Sequence, residues 1–372
     1  MLNVVTIVGT RPEIIRLSRL ISLLNRKTEH LLVHTGQNND PNLSSNFFRE
    51  LEIGVPDVFF GIDNSSIGSS IAGTLLASET LFRERKPDAV MILGDTNSAI
   101  SAIIAERMGI PVYHMEAGNR AFDRNVPEEL NRRLIDHVSS FNLVYTEHAR
   151  RNLASEGLPS KHIFKTGSPL PEVFAHFQDQ IQASEILSNL GLEQHGYFLA
   201  SFHRQENVDN PVTLRNMIAA LENLATQWQL PIVVSLHPRT ESKIHSLESE
   251  LHPLIKFHKP FGYFDYSQLQ VSAKCVISDS GSIAEEAAAM NFPAVSFRNS
   301  IERPEALEQG TVILSSTDSP GLLEAVKSMV EIGGPVSVPQ DYFDRDFSQR
   351  VLSILLSTAR QHRRWFNLTQ KA

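Results

Sequence analysis

The chain has 372 residues, 41% of them hydrophobic, and a formal net charge of -8. This length predicts about two domains, and the apolar content is sufficient for two cores. The balance of 34 basic against 42 acidic residues argues against nucleic acid or an anionic membrane as a partner, because both are bound through clustered positive charge.

Cysteine content and the chain start limit the protein class further. Cys275 is the only cysteine, which excludes an intrachain disulfide and a thiolate zinc cluster. Its apolar neighbours predict a buried thiol. The first residues lack a basic region before an apolar stretch, and no run approaches the roughly 18 apolar residues of a membrane span. We therefore expect a cytoplasmic protein.

In the first half, short apolar runs alternate with longer amphipathic stretches. The runs predicted as buried strands are 4–8, 31–34, 89–93, 111–114, 142–145 and 162–166. The stretches predicted as helices are 12–25, 66–85, 97–108, 128–139 and 147–156. Strands that alternate with helices indicate a parallel, doubly wound α/β sheet.

The second half repeats this plan, with strands predicted at 198–201, 232–235, 255–257, 275–278 and 294–296. We therefore predict two Rossmann-like domains that face a cleft, divided near 168–180. Ligands of such sheets bind outside the carboxyl ends of the strands, so the residues that follow each strand are the first to inspect.

Charged residues follow three strands of the first half. Arg11 lies in the motif Gly9–Glu13 at a helix start, and Arg16 lies further along that helix; the pair suits either an anion site or a capped helix with exposed arginines. Asp95 and Glu116 each follow a strand, and Glu128 lies in the first turn of a helix. Each acid alone also fits helix capping. Together they predict a group of carboxylates that raise one another's pKa, so that one can be a neutral acid while another is an ionised base at pH 7.

Histidines and aromatic residues follow strands of the second half. His203 and His237 each follow a strand and lie near an arginine, which favours a functional over a structural role. Phe261 and Tyr263 offer aromatic faces on which a base could stack, although core packing is the commoner fate of such rings.

A turn of small residues, Ser278–Glu286, follows another strand and precedes an alanine-rich helix. It would let a diphosphate approach the backbone of Ser280, Gly281 and Ser282, with Glu286 placed to bind ribose hydroxyls. Arg298 lies after the next strand. No strand is followed by GxGxxG, and no GxxxxGK[ST] or HExxH pattern occurs, so we expect no nicotinamide cofactor, no ATPase and no metal.

The set of motifs resembles the non-hydrolysing UDP-N-acetylglucosamine 2-epimerase family along nearly the whole chain. Each motif is short, but their number and order are specific. The motifs are Gly9–Glu13, Gly94–Thr96, His114–Gly118, Pro127–Arg132, His203–Asn207, Asp279–Gly281 with Glu285–Glu286, and Glu302–Glu305.

The resemblance implies a GT-B architecture with domains 1–170 and 171–349, a C-terminal helix within 350–372 that returns to the first domain, a homodimer and no cofactor. It implies a UDP-2-acetamido sugar as the substrate. The residues that match the family's acid, base and required histidine are Asp95, Glu116, Glu128 and His203. Those expected to bind UDP or the sugar are Arg11, Arg16, Arg132, His237, Phe261, Ser280, Gly281, Ser282, Glu286 and Arg298.

The loop 118–127 differs from that of typical members and is similar to the subgroup that makes UDP-N-acetyl-L-fucosamine. We therefore expect a 6-deoxy-L-talose-type UDP sugar ahead of UDP-N-acetylglucosamine, in the synthesis of surface polysaccharide precursors such as lipopolysaccharide or capsule. Gln37–Asp40 departs from the family's loop for an activating UDP sugar. The rival interpretations are a GT-B glycosyltransferase, a hydrolysing epimerase and a catalytically silent UDP-sugar binding protein.

Overall fold

Two parallel sheets organise the chain. The computed structural model describes residues 1–37, 47–123, 126–202, 211–236, 251–316, 319–366 and 368. The chain divides into one unit of Met1–Val173 with Asp344–Ala372, and a second unit of Phe174–Phe343. The sheets have the orders β3-β2-β1-β4-β5-β6-β7 and β10-β9-β8-β11-β12-β13, and every strand pairing is parallel. The prediction of two doubly wound α/β sheets is confirmed.

The first unit contains the seven-stranded sheet. Its strands are β1 (Asn3–Val8), β2 (Glu29–His34), β3 (Val58–Phe59), β4 (Ala89–Leu93), β5 (Val112–Met115), β6 (Phe141–Val144) and β7 (Ile163–Lys165). Its helices are α1 (Arg11–Lys27), α2 (Ile67–Arg85), α3 (Ser101–Arg107), α4 (Pro127–Val138), α5 (Glu147–Ser155), α6 (Leu170–His176), α14 (Phe347–Thr358) and α15 (His362–Trp365). Helix α6 ends just beyond the boundary at Val173. Helix α14 packs against α1 within this unit.

The second unit contains the six-stranded sheet. Its strands are β8 (Phe198–Phe202), β9 (Ile232–Leu236), β10 (Ile255–His258), β11 (Cys275–Ser278), β12 (Ala294–Phe297) and β13 (Ile313–Ser315). Its helices are α7 (Gln178–Gln182), α8 (Ile186–Leu190), α9 (Pro211–Trp228), α10 (Tyr263–Ser272), α11 (Ile283–Met290), α12 (Pro304–Glu308) and α13 (Ser319–Ile332). Cys275 is buried in this unit's core, which confirms the predicted buried thiol.

Local sequence explains where these elements begin. Helix α1 starts with a Thr10–Glu13 capping box and Pro12 in its first turn, and it ends with Arg26 and Lys27 beside the carbonyl end of the helix dipole. Strand β4 is buried at all five positions, as its uninterrupted apolar run predicts.

One predicted helix differs in form. The stretch 97–108 begins as a 3₁₀ turn, Asn97–Ile100, and continues as α3. Thr96 supplies the cap, since its hydroxyl accepts the Ser98 N–H at 3.2 Å. Among the residues described, no helix has the length and apolar character that crossing a membrane requires.

Candidate functional site

Each sheet reverses its strand order at one point, between β1 and β4 in the first unit and between β8 and β11 in the second. Ligands of open parallel sheets bind outside the carboxyl ends of the strands at such points. The loops after β1 and β4 carry Arg11 and Asp95, and the turn after β11 carries Ser280, Gly281 and Ser282. The topology therefore places these predicted residues at the preferred ligand positions of their own sheets.

Asp95 is bound by helix α4. The Arg132 Nε atom lies 2.6 Å from the Asp95 carboxylate, and the Asn131 amide donates to the Asp95 carbonyl at 2.9 Å. Since Thr96 caps the following turn, the alternative role of Asp95 as a helix cap is wrong. The structure brings Asp95 and Arg132 together, as an acid and a cation at one strand end.

Glu116 is buried directly after β5, and its backbone adopts a left-handed conformation with φ +64°. Non-glycine residues rarely adopt this region, and such strain concentrates at functional sites. Arg16 forms an ion pair with the Glu116 carboxylate. A Cβ atom added at Gly94 would lie 3.8 Å from Glu116 Oε2, so the carboxylate lies beside the loop that carries Asp95.

Glu128 and Glu129 occupy the first turn of α4 but differ in environment. Glu128 is exposed. Glu129 is buried and accepts the Ala121 N–H at 3.0 Å and the Arg133 Nε–H at 3.1 Å. Because residues four apart share a helix face, Glu128 lies one turn from Arg132. The sequence analysis named Glu128 and gave Glu129 no role, although Glu129 shares the helical spacing of the buried positions 129, 132 and 136 and is the inward glutamate.

Arg11 and Glu13 lie at the start of α1. The Arg11 guanidinium carbon is 3.8 Å from the centre of the Phe47 ring. Glu13 is buried, and its carboxylate accepts bonds from Gly9, Thr10 and Thr96. Burial raises the pKa of Glu13 to about 7, although these bonds act in the opposite direction. The sequence analysis gave Glu13 no role beyond its motif, but a Thr-x-x-Glu spacing at a helix start could have identified it.

A buried network of ion pairs and hydrogen bonds surrounds Asp136 and holds residues on both sides of Glu116 in the chain. The Asp136 carboxylate lies 2.7 Å from Arg120 Nη1 and 3.0 Å from His114 Nδ1, and it accepts the Gly118 N–H at 3.2 Å. His114 also bonds the Gly94 carbonyl through Nε2 at 2.8 Å. Although burial alone would raise the pKa of Asp136, its bonds and charge interactions with His114 and Arg120 hold that pKa below its usual value.

Glycine is required at position 118 of this network. Gly118 has φ +79°, and a Cβ atom there would collide with the Ala149 carbonyl. Arg120 is fully buried and bonds Glu156 through Nε at 2.8 Å and Nη2 at 2.6 Å. The network therefore fixes the segment from Glu116 to Arg120.

The serine turn of the second unit is internally hydrogen-bonded. The hydroxyls of Ser280 and Ser282 lie 2.8 Å apart, and Ser282 donates to Glu286 at 2.7 Å. Gln270 donates to the other Glu286 oxygen at 2.6 Å. Each carboxylate oxygen can accept more than one bond, so this arrangement leaves Glu286 capable of binding ribose hydroxyls.

Two buried arginines flank Gly281. Arg298 forms a two-point pair with Glu302 at 2.7 and 2.6 Å, and Arg303 pairs with Glu285 at 2.6 Å. A Cβ atom at Gly281 would lie 3.0 Å from Arg303 Nη1 and 3.6 Å from Arg298 Nη1. The backbone of the turn therefore lies beside two fixed guanidinium groups, each of which is paired with a glutamate. Only Arg298 was predicted as a site residue.

The remaining predicted residues have mixed outcomes. Tyr263 has the commoner of the two roles considered for it, core packing: it is buried at the start of α10, with its ring 6.0 Å from that of Phe174. Phe261 is half-buried and packs against a core cluster that contains Leu269 and Ala294. His203 and His237 lie outside the described residues. Within the described ranges, no group of three His, Cys, Asp or Glu is arranged to hold a metal ion.

Comparisons with known proteins point to one family. The family model described as UDP-N-acetylglucosamine 2-epimerase matches residues 22–356. A UDP-N-acetylglucosamine 2-epimerase structure from Rickettsia bellii is 42% identical, covers 98% of this chain and 100% of its own, and has a TM-score of 0.91. The Methanocaldococcus jannaschii UDP-GlcNAc 2-epimerase in complex with UDP-GlcNAc and UDP is 32% identical, with coverages of 95% and 99% and a TM-score of 0.89.

The family also contains another sugar specificity. A Pseudomonas aeruginosa relative named UDP-2,3-diacetamido-2,3-dideoxy-D-glucuronate 2-epimerase is 32% identical over 88% of this chain and 92% of its own length. Similarity over the whole chain therefore does not by itself identify the sugar.

Proposed function

Because the chain belongs to the UDP-N-acetylglucosamine 2-epimerase family and is therefore an isomerase, we propose that it inverts carbon 2 of a UDP-linked 2-acetamido sugar without hydrolysing it. The supporting observation is the pair of carboxylates at the carboxyl edge of the first sheet. Asp95 and Glu116 lie on neighbouring loops, and an arginine binds each. A transferase that shares the fold would need a UDP site but no such set of acids.

The chemistry explains why acids and a diphosphate site are both needed. The proton on carbon 2 is not acidic, because no neighbouring carbon is a carbonyl. In the proposed reaction a base removes this proton while the bond from carbon 1 to oxygen breaks, and UDP leaves with the electron pair. Protonation of the resulting glycal from the opposite face, followed by the return of UDP to carbon 1, gives the inverted sugar.

The two units divide these roles in the proposal. The first unit supplies the proton-transfer groups Asp95, Glu116 and Glu128, and the ion pairs with Arg16 and Arg132 fix two of them in orientation. The residues proposed to stabilise the departing UDP or to bind the nucleotide and sugar are Arg11, His203, His237, Phe261, Ser280, Gly281, Ser282, Glu286 and Arg298.

The proposed substrate is UDP-2-acetamido-2,6-dideoxy-L-talose, converted into UDP-N-acetyl-L-fucosamine. The described part of this loop, 118–123, supports this choice, because Phe122 is 71% exposed at φ +54° and follows the buried Arg120 by two residues. An apolar ring suits the 6-methyl group of a deoxy sugar better than a hydroxymethyl group. The second candidate is UDP-N-acetylglucosamine, which the relatives' names favour.

We further propose a homodimer in the cytoplasm that serves the synthesis of surface polysaccharide precursors. The sequence resemblance supports the dimer, and the use of a nucleotide sugar supports the pathway class.

Proton NMR in heavy water tests the reaction. With the purified protein and each UDP sugar in turn, we expect the carbon-2 proton signal to disappear and the inverted UDP sugar to appear without free sugar. Exchange with the 6-deoxy-L-talo sugar supports the proposed substrate, whereas exchange with UDP-N-acetylglucosamine alone supports the second candidate. An inverted product that keeps its carbon-2 proton would contradict the elimination chemistry, and no reaction with either sugar would contradict the epimerase proposal.

Arg298 is the residue whose change we expect to weaken UDP binding. Replacing it by lysine keeps one charge but loses the two-point geometry. Since a hydrogen bond to a charged group contributes about 1.5–3 kcal/mol, the Kd for UDP should rise by roughly 10- to 100-fold. Isothermal titration calorimetry measures this, with Arg215→Lys on the exposed face of α9 as the control. An unchanged Kd in folded Arg298→Lys would remove Arg298 from the UDP site.

A further inference from the structure

Glu13 joins two loops that come from neighbouring strands. Its Oε2 atom accepts the N–H groups of Gly9 at 2.7 Å and Thr10 at 2.6 Å in the loop after β1. Its Oε1 atom accepts the Thr96 hydroxyl at 2.7 Å in the loop after β4. Both loops lie where the strand order of the first sheet reverses.

Helix capping explains the contacts of Glu13 at the start of its own helix but not its contact with Thr96. A capping-box glutamate bonds the backbone at the start of its own helix, as Glu13 does with Thr10. The bond to Thr96 joins residues 83 positions apart and contributes nothing to helix α1. It connects the helix that carries Arg11 and Arg16 to the loop that carries Asp95.

The connection to Thr96 also restrains Asp95, because Asp95 is the preceding residue and is itself bound by α4. Arg132 binds the Asp95 side chain and Asn131 binds its carbonyl, while Glu13 holds the next residue, Thr96. Displacement of a reacting group by about 1 Å can reduce a rate by about 100-fold. A buried carboxylate that accepts hydrogen bonds from both loops is therefore well suited to fix this geometry.

We propose that Glu13 is a positioning residue for the reaction, which sets the placement of Arg11 and Asp95 relative to each other without contacting the sugar. This inference rests on the proposed epimerase function and adds to it a residue that acts only through its neighbours.

Glu13→Ala tests the proposal in wild-type and variant protein with the sugar that the wild type uses. Alanine removes both acceptor oxygens, so the Thr96 hydroxyl and the Gly9 and Thr10 amides all lose their partner, whereas a glutamine amide could still accept from the two amides and donate to Thr96. We expect kcat to fall by about 10- to 100-fold, while KM and the Kd for UDP stay within about twofold. Thr96→Val should give part of this loss, and the double variant should lose less than the product of the two single effects, because both act through one bond. Thr96→Ser should resemble the wild type.

Glu106→Ala is the matched control. Glu106 is another carboxylate of the first unit whose pKa is raised by burial, and it accepts the N–H groups of Ser140 at 2.7 Å and Val112 at 3.2 Å. These bonds lie at the starts of β5 and β6, at the opposite edge of the same sheet. Its substitution should change stability but leave kcat within about twofold.

Stability measurements separate positioning from a structural role. A carboxyl group whose folded-state pKa is raised contributes stability that is present in acid and lost as the pH rises through about 7. The stability of Glu13→Ala relative to the wild type should therefore be higher at about pH 8 than at about pH 5, whereas its kcat remains low at pH 8. A loss of kcat that simply follows a loss of folded protein would overturn the proposal.

Hydrogen exchange tests the same link without any substrate. In Glu13→Ala, the segments 9–11 and 94–98 should exchange their amide hydrogens faster than in the wild type, while 106–115 stays unchanged. Unchanged exchange in both segments, or wild-type kcat in the variant, overturns the positioning role. Failure of the wild type to epimerise any UDP sugar contradicts the proposed function instead, and the exchange result still decides whether Glu13 joins the two loops.

Discussion

Replacing Glu116 by glutamine is expected to lower kcat for epimerisation by about 100- to 10,000-fold, the range that a general acid or base contributes. The amide keeps the shape of the side chain and its place beside Arg16 but cannot take up or release the proton. Binding of UDP should change by less than about twofold, because the proposed nucleotide residues other than Arg11 lie in the second unit. Exchange of the carbon-2 proton in heavy water, followed by NMR, measures the loss.

Glu79→Gln is the control for this substitution. Glu79 also pairs with an arginine, Arg83, but on the exposed surface of α2, and its substitution should leave kcat unchanged. If Glu116→Gln retained more than about a tenth of the wild-type kcat, Glu116 would not be a proton-transfer group, and Asp95 and Glu128 would have to account for both steps.

Replacing Asp136 by alanine is expected to lower the free energy of unfolding by about 3–5 kcal/mol, the usual cost of removing one partner from a buried ion pair. The change leaves Arg120 and His114 buried without the carboxylate that they share. Urea denaturation followed by circular dichroism measures the effect. Because the pKa of Asp136 is held below its usual 3.8, its contribution is fully present at neutral pH and is lost only as the pH falls through that lowered pKa.

Glu156→Gln provides the comparison for Asp136. Glu156 binds the same arginine, but its side chain is 18% exposed, so water can replace part of the interaction and the cost should be about 1 kcal/mol. An Asp136→Ala variant that loses less than Glu156→Gln would show that the buried network does not stabilise the segment after Glu116.

The fold followed from sequence because its strands are buried on both faces. Runs such as 89–93 and 275–278 contain only apolar or small residues, and a parallel sheet covered by helices accounts for them. Strand β3 was not predicted, because two residues, Val58–Phe59, carry no periodicity. The 3₁₀ turn at 97–100 was also missed, since its apolar spacing equals that of the helix it precedes.

The positions of the site residues were easier to predict than their partners. Asp95, Glu116 and Ser280 were identified because they follow strands, and strand ends meet at one edge of a sheet. The sequence does not show which arginine binds which acid, because Arg132 and Asp95 are 37 positions apart and meet only through the fold. Tyr263 is a second example of this limit, since the sequence of an aromatic residue beside a glycine is the same whether its ring faces solvent or, as here, the core.

The single cysteine has a practical consequence. Cys275 lies in the core of the second unit, and burial raises the pKa of its thiol above the usual value. Because the thiolate is the reactive form, a thiol reagent can modify the chain only when this unit opens. The modification rate therefore reports opening of the second unit alone. Since the chain has no other cysteine, the native protein already has a single labelling site with which to measure whether UDP protects that unit.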